Sequence, residues 1–161
     1  MTKKFYDITE NLLCPPGNGV FTVNTAKERK EKLHQALYGT LDNIEGLWKS
    51  SIAENLDNSK PLILGVCSDT GGGIQRGANW GPLFLRNTLL DEHPELVYSD
   101  LGDIRVIPHL LHDKYLNTET IASCRNALYQ DKKSPYPVSA LSLTEEYCDK
   151  LHEEYPKKKL F

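Results

Sequence analysis

Residues Ser68–Pro82 read SDTGGGIQRGANWGP. Five glycines surround Asp69, Gln75, Arg76, Asn79 and Trp80. Glycines allow positive φ and close backbone approach, and the polar side chains supply charge and hydrogen bonds. The stretch follows Pro61–Cys67 (PLILGVC), a short continuous apolar run of the kind buried on both faces in a parallel sheet. Loops at the carboxyl ends of such strands are where α/β proteins place their sites. The residue types would serve a phosphate cradle, a nucleophile or a metal centre.

The phosphate reading needs Gly-Lys-Ser/Thr at the loop's end, or a third glycine after Gly71 and Gly73, where Arg76 stands instead. Cys67 and Ser68 sit at the strand end as candidate nucleophiles. No Gly-x-Ser-x-Gly elbow surrounds them and no partner histidine is located, so Cys67 reads as the last core residue of its strand. His109 and His112 form HxxH, and Asp100 and Asp103 form DxxD. Pro108 argues against a helix that would align the histidines, and polar loop residues or turn caps are the simpler reading. Arg76 suits a bidentate pair with Asp69, contact with an anionic substrate group, or a plain surface loop.

Several elements would position this loop. Residues 1–24 read as irregular, with breakers at Pro15–Gly19. Leu33, Leu37, Leu41, Ile44, Trp48, Ile52 and Leu56 predict one long amphipathic helix, with Gly39 and Gly46 as points of bending or splitting. Gly81-Pro82 opens a helix carrying Leu83, Phe84, Leu85, Leu89 and Leu90. Leu96–Tyr98 and Ile104–Ile107 are strand candidates. Asn117 caps a helix bearing Ile121, Cys124, Leu128 and Tyr129. Ser142 and Glu145 form a capping-box pattern ahead of Tyr147, Leu151 and Tyr155. Lys158–Phe161 reads as the entry to a further strand, as though the chain were cut before its next core strand. The alternation predicts an α/β fold with a mainly parallel sheet, residues 1–60 forming an N-terminal helical extension and 61–161 the α/β part.

The chain has 161 residues and a net charge of -3, which fits one domain and argues against nucleic acid as a partner. No long apolar run predicts a membrane span or a secretory leader. The four cysteines show no CxxC spacing and read as buried free thiols, as in a cytoplasmic protein.

In combination, Gly65-Val66, Asp69, Gly71, Arg76-Gly77-Ala78, Gly81-Pro82, Arg86 and Asp100-Leu101-Gly102-Asp103 resemble the first strand–loop–helix unit and the following strand of the ureohydrolases, the arginase, agmatinase and formimidoylglutamase family. Cys67, the extra Gly72 and the spacing after Arg76 depart from the pattern. Asp69–Gly73 also resembles the phosphate-binding turn of actin-like kinases, but that turn joins two strands, whereas a helix pattern follows here. The ureohydrolase resemblance implies a three-layer α/β/α arginase-like fold and a binuclear Mn²⁺ centre hydrolysing guanidino or formimidoyl C–N bonds. It further implies a homo-oligomer when complete. The family's metal motifs, of the forms GGDH, DAHxD and DxDxxDP, do not occur in this sequence. The expectation is therefore an N-terminal portion, inactive alone and binding no metal, whose partner is the remainder of the parent polypeptide. Asp69, Gln75, Arg76 and Asn79 would shape the rim of the substrate cleft. A stand-alone interaction or regulatory domain and a nucleotide-binding domain are the alternatives.

Overall fold

The computed structural model describes residues 2–20, 25–71, 74 and 76–161. The chain begins with α1 (Lys3–Leu12), which runs directly into a two-residue strand, β1 (Leu13–Cys14). Helices α2 (Thr25–Tyr38) and α3 (Ile44–Asp57) follow, then β2 (Leu62–Val66), α4 (Gly81–Glu92), β3 (Ser99–Ile104), α5 (Thr118–Tyr129) and α6 (Ala140–Glu154). This is a mixed α/β fold.

The sheet has the order β1-β3-β2. β2 and β3 are parallel and β1 joins β3 antiparallel, so the sheet is mixed rather than mainly parallel. Lys158–Phe161 does reach the sheet as expected. Leu160 bridges Leu62 in parallel, and Phe161 donates its amide to Leu62 at 2.8 Å. Along that edge β2 lies between β3 and the last residues, so the order in which the chain adds strands reverses across β2 while all of them run parallel. Such a reversal opens a crevice at the strands' carboxyl ends.

Helices cover both sheet faces. On one, α4 lies over Gly65 and Asp103 and packs against α2 through Leu83, Leu33 and Ala26. On the other, Trp48, Ile52 and Leu56 of α3, Phe5, Ile8 and Leu12 of α1, and Leu143, Tyr147 and Leu151 of α6 share one core with Leu62, Leu101 and Ile104. Residues 1–60 therefore contribute to the same core as the rest of the chain.

Of the stretch expected to be irregular, residues 3–14 form α1 and β1, residues 15–20 are turns and bends as expected, and 21–24 lie outside the described residues. Thr2 caps α1 by accepting from the Phe5 amide at 3.2 Å, and Phe5, Ile8 and Leu12 form its buried stripe. Each such burial is worth on the order of 2 kcal/mol, enough to hold a helix too short to persist alone. The predicted long helix is two helices. Gly39 (φ +71°) ends α2 and Asn43 (φ 51°) precedes α3, while Gly46 lies inside α3. The apparent single stripe serves two cores: Leu33 faces α4, Trp48 faces β3, and Leu41 between them is 49% exposed.

The strand candidates around residue 100 were displaced. The ordered strand is Ser99–Ile104, which fills the gap between the two apolar runs and takes only Ile104 from them, and all six residues are buried. The register shifts at Ile63/Leu64, leaving Leu101 without a Cα partner. Gly102 follows with φ +110°, and a Cβ there would lie 2.2 Å from the Cys14 carbonyl oxygen. α6 begins at Ala140, not after Ser142, because Asp113 takes the amides of Val138 and Ser139 and the Ser139 hydroxyl. Asn117 caps α5 as predicted, accepting from the Thr120 amide at 2.8 Å. Among the described residues no helix is long and apolar enough to cross a membrane.

Gly65 and Gly39 allow a test of space against conformation. A Cβ on Gly65 would sit 2.0 Å from Asp103 Oδ1, whereas one on Gly39 meets nothing within 4 Å. Gly65→Ala is expected to cost about 3 kcal/mol in urea unfolding, and Gly39→Ala only about 1 kcal/mol, from its positive φ. Equal losses would contradict the packing described.

Candidate functional site

The Gly-rich loop leaves β2 at Cys67 and is pinned at its start. The Asp69 amide donates to the Pro108 carbonyl at 2.7 Å, and the Thr70 hydroxyl reaches the same oxygen at 3.2 Å. Pro108 belongs to the loop after β3, so loops at the carboxyl ends of two adjacent parallel strands are joined. Asp69 is buried, and its Oδ1 accepts from the amides of Gly77 and Ala78 at 2.9 and 3.0 Å. A carboxylate receiving two backbone N–H groups is a strong local brace. It closes the loop into the one-turn 3-10 helix Ala78–Trp80 and hands the chain to α4 at Gly81-Pro82.

The four predicted rim residues separate into different environments. Asp69 is an architectural brace whose carboxylate accepts from the backbone amides of Gly77 and Ala78 rather than from Arg76. Arg76 is exposed, and Asn79 is half-buried in the 3-10 turn. Gln75 lies outside the described residues. Arg76 and Asn79 thus flank the loop mouth, with Arg76 available to solvent.

Below the loop lies a feature that sequence reasoning missed: a buried cluster of Arg86, Asp100 and Asp103. Arg86 projects from α4 with its side chain 1% exposed, against 2% for Asp100 and 0% for Asp103. Its Nε and Nη2 donate to the two oxygens of Asp100 at 2.7 and 2.8 Å, a bidentate pair. Its Nη1 donates to Asp103 Oδ1, and Nη2 also reaches the Gly102 carbonyl at 3.0 Å. The second carboxylate is met by backbone. Asp103 Oδ2 accepts from the amides of Gly17 and Gly19 at 2.8 and 3.0 Å, and Asp100 Oδ1 from Gly102 at 3.0 Å. Burial opposes the charge on Arg86, but the two carboxylates outweigh it and hold its pKa above the ordinary value. Burial pushes the Asp100 carboxyl above the usual carboxylate range, against the pull of Arg86. The signal was present: an arginine amid Leu83, Leu85 and Leu89 calls for a buried partner.

The metal candidates have other occupations. Asp100 and Asp103 are neither ligands nor turn caps but ion partners inside a strand. His112 is a turn cap, its Nδ1 accepting from the Lys114 amide at 3.1 Å, and His109 is exposed. Among the described residues no three His, Cys, Asp or Glu side chains are placed to hold a metal ion. All four cysteines are free. Cys14 and Cys67 are buried, whereas Cys124 and Cys148, expected in a core, are only half-buried. Burial, then the Asp103 charge, pushes the Cys14 thiol up to about 12, and the same causes raise Cys67. Neither is a nucleophile near neutral pH.

The arrangement braces a loop and locks a helix to a sheet, and it defines the class as a mixed α/β domain with its longest loop at a topological reversal. No family model, no curated protein and no solved structure matches this chain.

Two measurements check this geometry. Arg86→Met leaves two carboxylates buried without their cation and is expected to cost about 3–5 kcal/mol in denaturant unfolding. A loss below 1 kcal/mol would show that the cluster is not closed. In the native state at pH 8, a thiol-specific reagent should modify Cys124 and Cys148, leaving Cys14 and Cys67 untouched until denaturant is added; rapid native labelling of Cys67 would contradict its burial.

Proposed function

We propose that the chain is an N-terminal portion of a ureohydrolase-like metallohydrolase, acting on guanidino or formimidoyl C–N bonds when completed by the remainder of its polypeptide. One observation supports this reading above others. The residues carrying the resemblance interlock in space: Gly65 leaves room for Asp103, Asp69 braces the loop, Gly102 makes the bulge, and Arg86 clamps Asp100 and Asp103. Gly65, Arg86, Asp100, Gly102 and Asp103 are in mutual contact and Asp69 separately braces the loop, so the residues of the pattern have joint structural roles.

In this reading Arg76 and Asn79 stand at the cleft rim, where Arg76 meets an anionic group of the substrate. The resident Mn²⁺ pair expected of such an enzyme does not fit the described residues. The acidic groups of the motif, Asp100 and Asp103, are already committed to Arg86. Ligands would come from the rest of the polypeptide, in an arginase-like α/β/α fold, cytoplasmic and oligomeric when complete. The described residues supply the cleft's framework and no chemical step.

A stand-alone interaction domain is the second reading. An apolar hollow of about 480 Å³ between α4 and the last residues favours it, lined by Ile63, Leu85, Leu89, Leu96, Val97 and Phe161.

The reading frame beyond Phe161 separates the two. The polypeptide it encodes is expected to carry Gly-Gly-Asp-His, take up two Mn²⁺ per chain by calorimetry, and release urea from arginine or agmatine. The present chain should do neither. A stop codon directly after Phe161, or turnover by this chain alone, would overturn the proposal.

A further inference from the structure

A cavity of about 600 Å³ opens on the β1 side of the sheet, away from the reversal at β2. Arg105 and Val106 line it immediately beyond the carboxyl end of β3, and Asn18 and Gly19 come from the loop after β1. Lys30 of α2, Glu45 of α3 and Leu128 of α5 complete its walls. Five separate segments thus converge on one hollow.

Its charges do not cancel. Glu45 is shared between Lys49 at 3.5 Å and Arg105 at 3.7 Å, separations too long for strong hydrogen-bonded pairs. Among the described residues the Lys30 ammonium has no ion-pair partner. Two cations and a lysine-shared carboxylate leave the lining positive. The cations are also positioned. Arg105 Nε donates to the Leu13 carbonyl at 2.7 Å, which orients the rest of the guanidinium, and its side chain is 33% exposed. The Lys30 stem lies against Gly17, its Cγ 3.2 Å from where a Cβ would stand. Val106, Ala127 and Leu128 give the cavity an apolar wall beside these donors. The lining is about half polar and half apolar, so donors and an apolar stretch stand side by side in it.

We infer that this cavity binds a small organic anion, a carboxylate or phosphate group on a short apolar stem, with the anion held by Lys30 and Arg105 and the stem against Val106 and Leu128. The site is independent of the ureohydrolase reading and survives if that reading fails.

The test is amide NMR of the intact chain titrated separately with sodium valerate and sodium phosphate, at constant ionic strength to hold screening fixed. Saturable shifts are expected at Asn18, Gly19, Val106 and Leu128. Saturation by valerate assigns the carboxylate form and by phosphate the phosphate form. Lys30→Gln, at a half-buried helix position, keeps the Cγ that packs on Gly17 and should leave the fold unchanged while weakening binding about tenfold, and Lys30→Arg retains it. Absence of saturation with both probes in the millimolar range, or binding unaltered by Lys30→Gln, overturns the inference.

Discussion

A guanidinium between two carboxylates, all closed off from water, is the constraint around which this fold is arranged. Three charges in an apolar interior are tolerable only with their hydrogen-bonding capacity largely filled. Meeting that demand recruits four parts of the chain. α4 supplies Arg86, β3 supplies both aspartates, the loop after β1 supplies the amides of Gly17 and Gly19, and β2 supplies the gap at Gly65. Such clusters add little net stability over a well-packed apolar core. Their effect here is selective: shifting β3 by one residue would turn Asp100 and Asp103 away from Arg86. Register in a short parallel strand, otherwise weakly specified, becomes strongly specified.

The loop above inherits that precision. α4 cannot move relative to β3, so Gly81 is fixed, and Asp69 spans from the end of β2 to the turn just before Gly81. Both ends of the Gly-rich segment are thereby held. Gly77 serves the second of these anchors through its amide, and Arg76 stands next to it.

The legibility of all this from sequence was uneven, for physical reasons. β2, α4 and α5 stood out because their patterns are local: an unbroken apolar run, Gly-Pro at a helix start, and an asparagine cap. β3 did not, because its buried groups include two aspartates whose justification, Arg86, lies in another element. Hydrophobicity alone placed strands on either side of it. The break between α2 and α3 was half-visible in Gly39, but the change of core between Leu33 and Trp48 depends on tertiary packing. α1 was readable in Phe5, Ile8 and Leu12 after Thr2, and was obscured by the breakers just beyond it. For the site, Asp69 was placed at a loop, but its brace needed the positions of two amides that no spacing rule supplies.

The placement of the first fourteen residues has a consequence for synthesis. Cys14 meets the carbonyl of Asp103 across 89 residues, and Thr9 meets the Tyr147 hydroxyl across 138. Contacts so distant cannot form until their partners exist, and ribosomes add about 5–20 residues each second. The apolar stripe of α1 must therefore wait several seconds, exposed and too short to hold its helix. A nascent chain in that condition carries exposed apolar surface for as long as it waits. Among the described elements α1 is translated before the others and is among the last to be housed.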